Sequence, residues 1–140
     1  MQGQVNKIAV VGLILCSLTA CGGSPNPDTT IRRVYDWYVE MMKSAQNPWQ
    51  RASIDLKPMA TERFLSSIEN LRPDLDGSGM MEGRNFDARL AIDDVNVNGG
   101  TATARVTVSG RMIGRQMLSV SLLKEDRTWK IDDVKLIETN

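Results

Sequence analysis

The sequence predicts an α+β domain in which two N-terminal helices pack on a curved four-stranded antiparallel sheet. Three observations predict it. Apolar residues recur at a period near 3.6 in the N-terminal half of the chain, and the period falls to two beyond Phe86. The tetrapeptide Ile-Asp-Asp-Val stands twice, at 92–95 and 131–134, each time where the alternation slips. Such a slip reads as a β-bulge, in which one extra residue bends the strand and turns the following side chains over. Two bends of this kind curve a sheet, and helices against its concave face bury the apolar rows.

The first helix begins near Asp28. Ile31, Val34, Tyr35, Tyr38, Met41, Met42 and Ala45 share one face, and Arg32, Arg33, Asp36, Glu40 and Lys43 share the other. Asp28 is the expected N-cap, with Thr29 and Thr30 as near alternatives, and Asn47-Pro48 is expected to end the helix. Residues 47–58 read as irregular, with a proline near each end and Trp49 as an anchor onto the core. A second helix over about 60–71 follows from Phe64, Leu65, Ile68 and Leu71, with Thr61 as a possible N-cap and Pro73 beyond its end. The glycine-rich stretch 74–85 reads as a loop.

The strands are read from alternation. Phe86, Ala88, Leu90 and Ile92 form one row, which resumes after the first slip at Val95 and Val97. Asn98-Gly99-Gly100 is a strong hairpin signal. The return strand covers 101–108, with its alanines and valines on one face. A looser turn over 109–115 leads to a third strand at 116–123, and Glu125-Asp126-Arg127 turns the chain into the last strand at 129–136. A plain meander and an arrangement with the first strand moved to an edge both satisfy this pattern.

What precedes the domain concerns location. Lys7 is the sole charge before an apolar run over residues 8–20, and Leu18-Thr19-Ala20-Cys21 reads as a lipobox. Residues 1–20 are therefore expected to be a signal peptide cut after Ala20, leaving Cys21 as the acylated, palmitate-bearing first residue. About thirteen apolar residues fall short of the roughly twenty that a membrane span needs. A secreted form cut by ordinary signal peptidase is the other alternative. Residues 21–27 make the lipidated cysteine and its linker, whose last six residues span at most ~20 Å. Residues 28–140 make one domain. Gly22 after the cysteine, where aspartate favours inner-membrane retention, points to the outer membrane facing the periplasm if the host has two membranes.

Composition excludes several chemistries. The 17 basic and 17 acidic residues balance, and the loss of Lys7 leaves the mature chain with a single net negative charge, so nothing favours nucleic acid. Histidine is absent and Cys16 leaves with the signal, which removes Cys/His zinc sites and histidine-based nucleophilic machinery. Carboxylate, tyrosine, lysine and arginine remain.

The order of elements, the hairpin between Val97 and Ala104 and the closing Trp129-Lys130-Ile131-Asp132-Asp133-Val134 resemble the cone-shaped α+β fold of the nuclear-transport-factor-like (cystatin-like) superfamily. With Tyr35-Asp36-Trp37-Tyr38 added, the chain resembles small bacterial lipoproteins whose domain is catalogued as domain of unknown function 3828. That resemblance implies a cone-like domain and no settled activity. It would match acidic residues after the second helix to Asp74 and Asp76, although the aromatic expected just beyond is missing.

Four groups of residues are candidate sites. Tyr35, Tyr38 and Trp49 would line a pocket between helix and sheet, although aromatics at helical spacing usually belong to a core. Asp74, Asp76, Ser78 and Glu82 follow the first half of a calcium loop, but the twelfth position is Asn85 instead of glutamate, and a turn-rich surface loop explains the same residues. Asp93, Asp94, Asp132 and Asp133 would form a carboxylate cluster if their strands were neighbours, and otherwise they mark solvated bulges. Met80, Met81 and Met112 suit either a protein-binding surface or gaps in a core.

These readings favour a lipid-anchored periplasmic binding module without catalysis or cofactor, docking a protein or small ligand at the membrane surface. An immunity lipoprotein against a periplasm-delivered toxin is a more specific form of it. The alternative is an isomerase- or hydrolase-like enzyme of the cone fold using a carboxylate and a tyrosine. A structural lipoprotein of an envelope machine is a third. An enzyme needs a deep cavity with an inward carboxylate, whereas a filled cone would bury Phe64, Leu90, Val106 and Trp129.

Overall fold

The computed structural model describes residues 25–44, 46–68, 87–111 and 113–139. Ala20 and Cys21, the acidic loop with Asp74, Asp76, Ser78 and Glu82, and Met80, Met81 and Met112 lie outside the described residues, as does the side chain of Trp49.

Helix α1 spans Pro27–Lys43 and buries Ile31, Val34, Tyr35, Tyr38, Met41 and Met42. Its N-cap is Asn26 in place of Asp28, because Pro27 occupies the first helical position, where a missing N–H and a fixed φ favour helix initiation. Asp28 then lies in the first turn, where its charge suits the helix dipole. The helix ends before Asn47-Pro48, with the Ser44 N–H donating to the Glu40 carbonyl at 3.0 Å.

The stretch 47–58, expected to be irregular, contains helix α2 over Pro48–Asp55. Pro48 acts as a helix starter for the same reason as Pro27. Ala52 and Leu56, four residues apart, are the buried anchors. The Trp37 Nε1–H donates to Asp55 Oδ2 at 2.9 Å and joins α2 to α1. The second expected helix is shorter in its regular part, α3 over Glu62–Leu65, and its last positions, 69–71, lie outside the described residues. Thr61 is its N-cap and accepts from the Phe64 N–H at 3.2 Å.

Four strands, β1 (Arg89–Asn98), β2 (Thr101–Gly110), β3 (Gly114–Glu125) and β4 (Thr128–Thr139), form an antiparallel meander in the order β1-β2-β3-β4. Gly99 at φ +59° makes the first hairpin turn. Asp126 and Arg127, at φ +49° and +67°, make the last, so both central residues are left-handed as a tight hairpin requires.

Both anticipated bulges are present. In β1 the register passes from Asp93 opposite Arg105 to Asn96 opposite Thr103, leaving Asp94, at φ +50°, and Val95 against Ala104. In β4, Asp133 faces Ser121 and Ile131 faces Leu122, leaving Asp132 as the extra residue. A third shift near Leu136, not marked by aspartates, occurs further along β4.

The inward rows Ala102, Ala104, Val106 and Val108 of β2, Leu118, Val120 and Leu122 of β3, and Trp129, Ile131 and Val134 of β4 meet Ile31, Val34, Leu56 and Phe64. Thr30, fully buried, fixes the start of α1 by donating from Oγ1 to the Trp129 carbonyl at 3.0 Å. The chain around Ala60 runs beside β4: the Thr61 N–H donates to the Ile131 carbonyl, and the Ile131 N–H donates to the Met59 carbonyl, both at 2.9 Å. This short parallel bridge satisfies some of an edge that would otherwise be open.

Candidate functional site: a cleft beside the first helix

Helix α1 carries two stripes. The inward one enters the core, and a flanking one, Arg32, Asp36, Val39 and Lys43, recurs every three to four residues and so forms a continuous wall. Opposite this wall stand Ala88, Arg89 and Leu90 at the start of β1, with Val108 and Ile113 from the far end of β2 and the turn after it. Between the walls lies a cleft of about 520 Å³, lined also by Tyr35, Tyr38 and Glu40. That volume is in the range of small-molecule sites, roughly 300–1,000 Å³.

The wall of β1 is held by contacts of its own. The Arg111 N–H donates to Asp87 Oδ1 at 3.1 Å, and the Asp87 carbonyl lies directly over the Cα of Gly110. Only a residue without a Cβ fits beneath it. The start of β1 can therefore close on the end of β2, and this brings Ala88 and Leu90 to the cleft.

Apolar side chains, Val39, Ala88, Leu90, Val108 and Ile113, alternate with charged ones, and the charges are at the exposed rim: Arg32, Lys43 and Arg89 against Asp36 and Glu40. The inner polar groups are uncharged. Tyr35 is 3 % exposed, and its hydroxyl has no hydrogen-bond partner among the described residues. Burial, and then the neighbouring Tyr38, push its pKa above the ordinary phenol value, so it remains a neutral donor and acceptor. Gln116, 3 % exposed, faces inward on β3 directly opposite Val108, and its Oε1 also lacks a partner among the described residues.

Of the three aromatics expected at a pocket, Tyr35 and Tyr38 line this cleft together, and Trp49 stands in the first turn of α2. The four aspartates do not meet. β1 and β4 are the two edges of the sheet, so two strands separate the pairs, roughly 14 Å at the usual strand spacing. Asp94 pairs with Arg105 at 2.8 Å on the surface. Asp132 accepts from Thr61 Oγ1 at 2.8 Å, and Arg63 lies 3.7 Å from both Asp132 and Asp133. The bulge in β4 thus holds the cap of α3. Among the described residues no group of three or more metal-ligating side chains converges.

The interior divides between a packed part and the cleft. Phe64, Val106 and Trp129 are buried in the core, while Leu90 is half-buried and walls the cleft. Sequence reasoning missed Gln116 as a buried polar residue behind the wall of the cleft. Its signal was its parity with Leu118, Val120 and Leu122, which places a polar side chain on the apolar face of β3.

No protein-family model and no curated protein matches the sequence. Among solved structures, the phospholipid-binding protein of Ralstonia solanacearum, determined in complex with a phospholipid, matches with a TM-score of 0.56 at 14 % identity, over 79 % of this chain and 78 % of that one. The two share a fold. An NTF2-like protein of unknown function from Shewanella baltica matches with a TM-score of 0.49 at 16 % identity, over 80 % of this chain and 94 % of that one, and at that score it adds nothing to the comparison. The helices on a curved antiparallel sheet are the α+β architecture expected from the sequence.

Proposed function

We propose that the protein is a lipid-anchored binding module, tethered through Cys21 to the periplasmic face of the outer membrane, that holds a small amphiphile in the cleft beside α1 without chemically altering it. The observation that carries this reading is the cleft itself: apolar walls, a buried tyrosine hydroxyl without a partner among the described residues and charges confined to the rim. Such a site suits a ligand with an apolar body and a polar group, and the protein of Ralstonia that shares this fold binds one. The carboxylates lining the cleft, Asp36 and Glu40, are exposed on α1, whereas acid-base catalysis in a cone calls for an inward one. This supports binding over catalysis.

The test is mass spectrometry of small molecules extracted from the full chain purified from its own membranes. One amphiphile is expected at near-stoichiometric yield, and it should be lost from Val39→Trp, which fills the cleft from the helix side. Equal recovery from both forms would remove the cleft as the site. In parallel, Cys21→Ser should shift the protein out of the lipid-labelled fraction; continued incorporation of labelled palmitate would refute the anchor.

A further inference from the structure

We infer that the ligand of the cleft carries both charges in its head group, an anion and a cation about one helical turn apart, as in an alkyl phosphoethanolamine. This rests on the reading of the cleft as the ligand site and adds the chemistry of the head. The mouth is lined by five exposed charged residues, Arg32, Asp36, Glu40 and Lys43 on α1 and Arg89 on β1. Among the described residues none of them forms a salt bridge. Spacing does not explain this. In α2, Arg51 and Asp55 stand in the same order and at the same interval as Arg32 and Asp36, and they pair at 3.1 Å. At the rim of the cleft the corresponding side chains both belong to the lining and remain open to an outside partner.

The pattern of signs sets what that partner is. Along the helix wall the charges run positive, negative, negative, positive, and the strand wall adds Arg89. Asp36 and Glu40, four residues apart, are neighbours of like charge and repel each other. An ammonium group set against both relieves that repulsion. Arg32 precedes Asp36 by ~6 Å along the axis, and Arg89 stands on the opposite wall. Guanidinium groups suit a phosphate ester, whose oxygens they meet as a fork. A phosphate and an ammonium joined by two carbons span about that separation. A singly charged head fits less well. An anion alone leaves two carboxylates unneutralised beside it, and a cation alone stands among Arg32, Lys43 and Arg89. Both head charges stay at the rim in contact with water, so neither is stripped of its hydration as it would be deeper in. The tail lies along Val39, Leu90 and Ile113.

Titration calorimetry of the full chain held in an amphipathic polymer tests this at low salt, with three probes of one tail length: octyl phosphoethanolamine, octyl methyl phosphate and octylamine. The phosphoethanolamine should bind about three- to fivefold more tightly than either singly charged probe, the worth of one exposed ion pair. That ratio should shrink toward one in 1 M salt, where the Debye length falls to about 3 Å. Replacing Asp36→Asn and Glu40→Gln together should bring the phosphoethanolamine down to the affinity of the methyl phosphate. Arg89→Gln should weaken both phosphate probes and leave octylamine binding no weaker. Equal binding of all three probes, tightest binding of either singly charged one, or a preference retained without the two carboxylates overturns the inference; the first of these would mean that the rim charges only hydrate the helix. If the head preference is missing but Val39→Trp abolishes binding, the cleft stands as the site and this inference alone fails. Binding that survives Val39→Trp, or no binding of any probe, defeats the proposed function as well.

Discussion

Replacing Tyr35 by phenylalanine should make the ligand-free protein more stable. A hydroxyl buried without a hydrogen bond costs about 1–3 kcal/mol relative to water, and the Tyr35 hydroxyl is buried with no partner among the described residues. Deleting one oxygen leaves a small void, which at about 24 cal/mol per Å³ takes back a few tenths of a kcal/mol. The net gain should be near 1 kcal/mol, or ~4 °C in Tm for a domain of this size. Urea unfolding of delipidated wild type and variant at neutral pH measures it, and the midpoint should rise with the m-value unchanged. The alkaline limb gives a second readout. Because the folded phenol titrates above its unfolded value of about 10, ionisation favours the unfolded chain, so the wild type keeps its neutral-pH stability below pH 10 and loses stability as pH rises from there toward the folded pKa. The variant should lack that component. A drop in stability at neutral pH would show that the hydroxyl is already hydrogen-bonded in the ligand-free protein and is not held ready for a ligand.

Two other perturbations address the scaffold. Gly110→Ala should destabilise the domain by about 1–3 kcal/mol as an overpacked site, because its Cβ would collide with the Asp87 carbonyl, and it should weaken ligand binding by displacing Ala88 and Leu90 from the cleft; Gly100→Ala, with open space around it, is the control, and equal Tm values for the two variants would contradict the account. The Arg51 guanidinium, and then the Trp37 indole N–H, hold Asp55 below the usual carboxylate range, so their contribution is fully present above the unfolded value of about 3.9 and is lost as pH falls through the folded pKa. Urea midpoints at pH 6 and pH 3 should therefore differ more in the wild type than in Asp55→Asn, and identical differences would show that the link between α1 and α2 carries no charge dependence.

Legibility followed the reach of each interaction. The strands and their bulges were readable because alternation is local, and a phase slip of one residue at Asp93-Asp94 or Asp132-Asp133 shows directly in which side chains fall on which face. Helix α2 was not readable. Eight residues with Ala52 as a buried anchor and Leu56 just past their end generate too short a period, and Pro48 reads as a breaker unless the chain is known to restart there. Strand order decides whether the four aspartates meet, and no local pattern sets it. The cleft was half visible: Tyr35 and Tyr38 belong to a helical stripe that any reading finds, but that they border a space depends on Ala88, Leu90, Val108 and Ile113 coming to the same end of the sheet.

What keeps that space open follows from how α1 is fixed. Its first turn is tied to β4 through Thr30 and the Trp129 carbonyl, and its middle is tied to α2 through Trp37 and Asp55. The flank from Arg32 to Lys43 covers twelve residues, about 18 Å of helix at 1.5 Å per residue, and faces β1, the edge strand whose companion wall is set by Gly110 and Asp87. Neither tie pulls α1 toward β1. A helix clamped on the β4 side and at α2 leaves its third side to whatever lies between it and β1. Apolar side chains at the rim positions of α1 would have closed the gap by packing, as they do over β2, β3 and β4. Charged residues at positions 32, 36, 40 and 43 prevent that closure, since folding them inward would strip their hydration without a partner. The same residues that made α1 look merely amphipathic in the sequence therefore hold the cleft open.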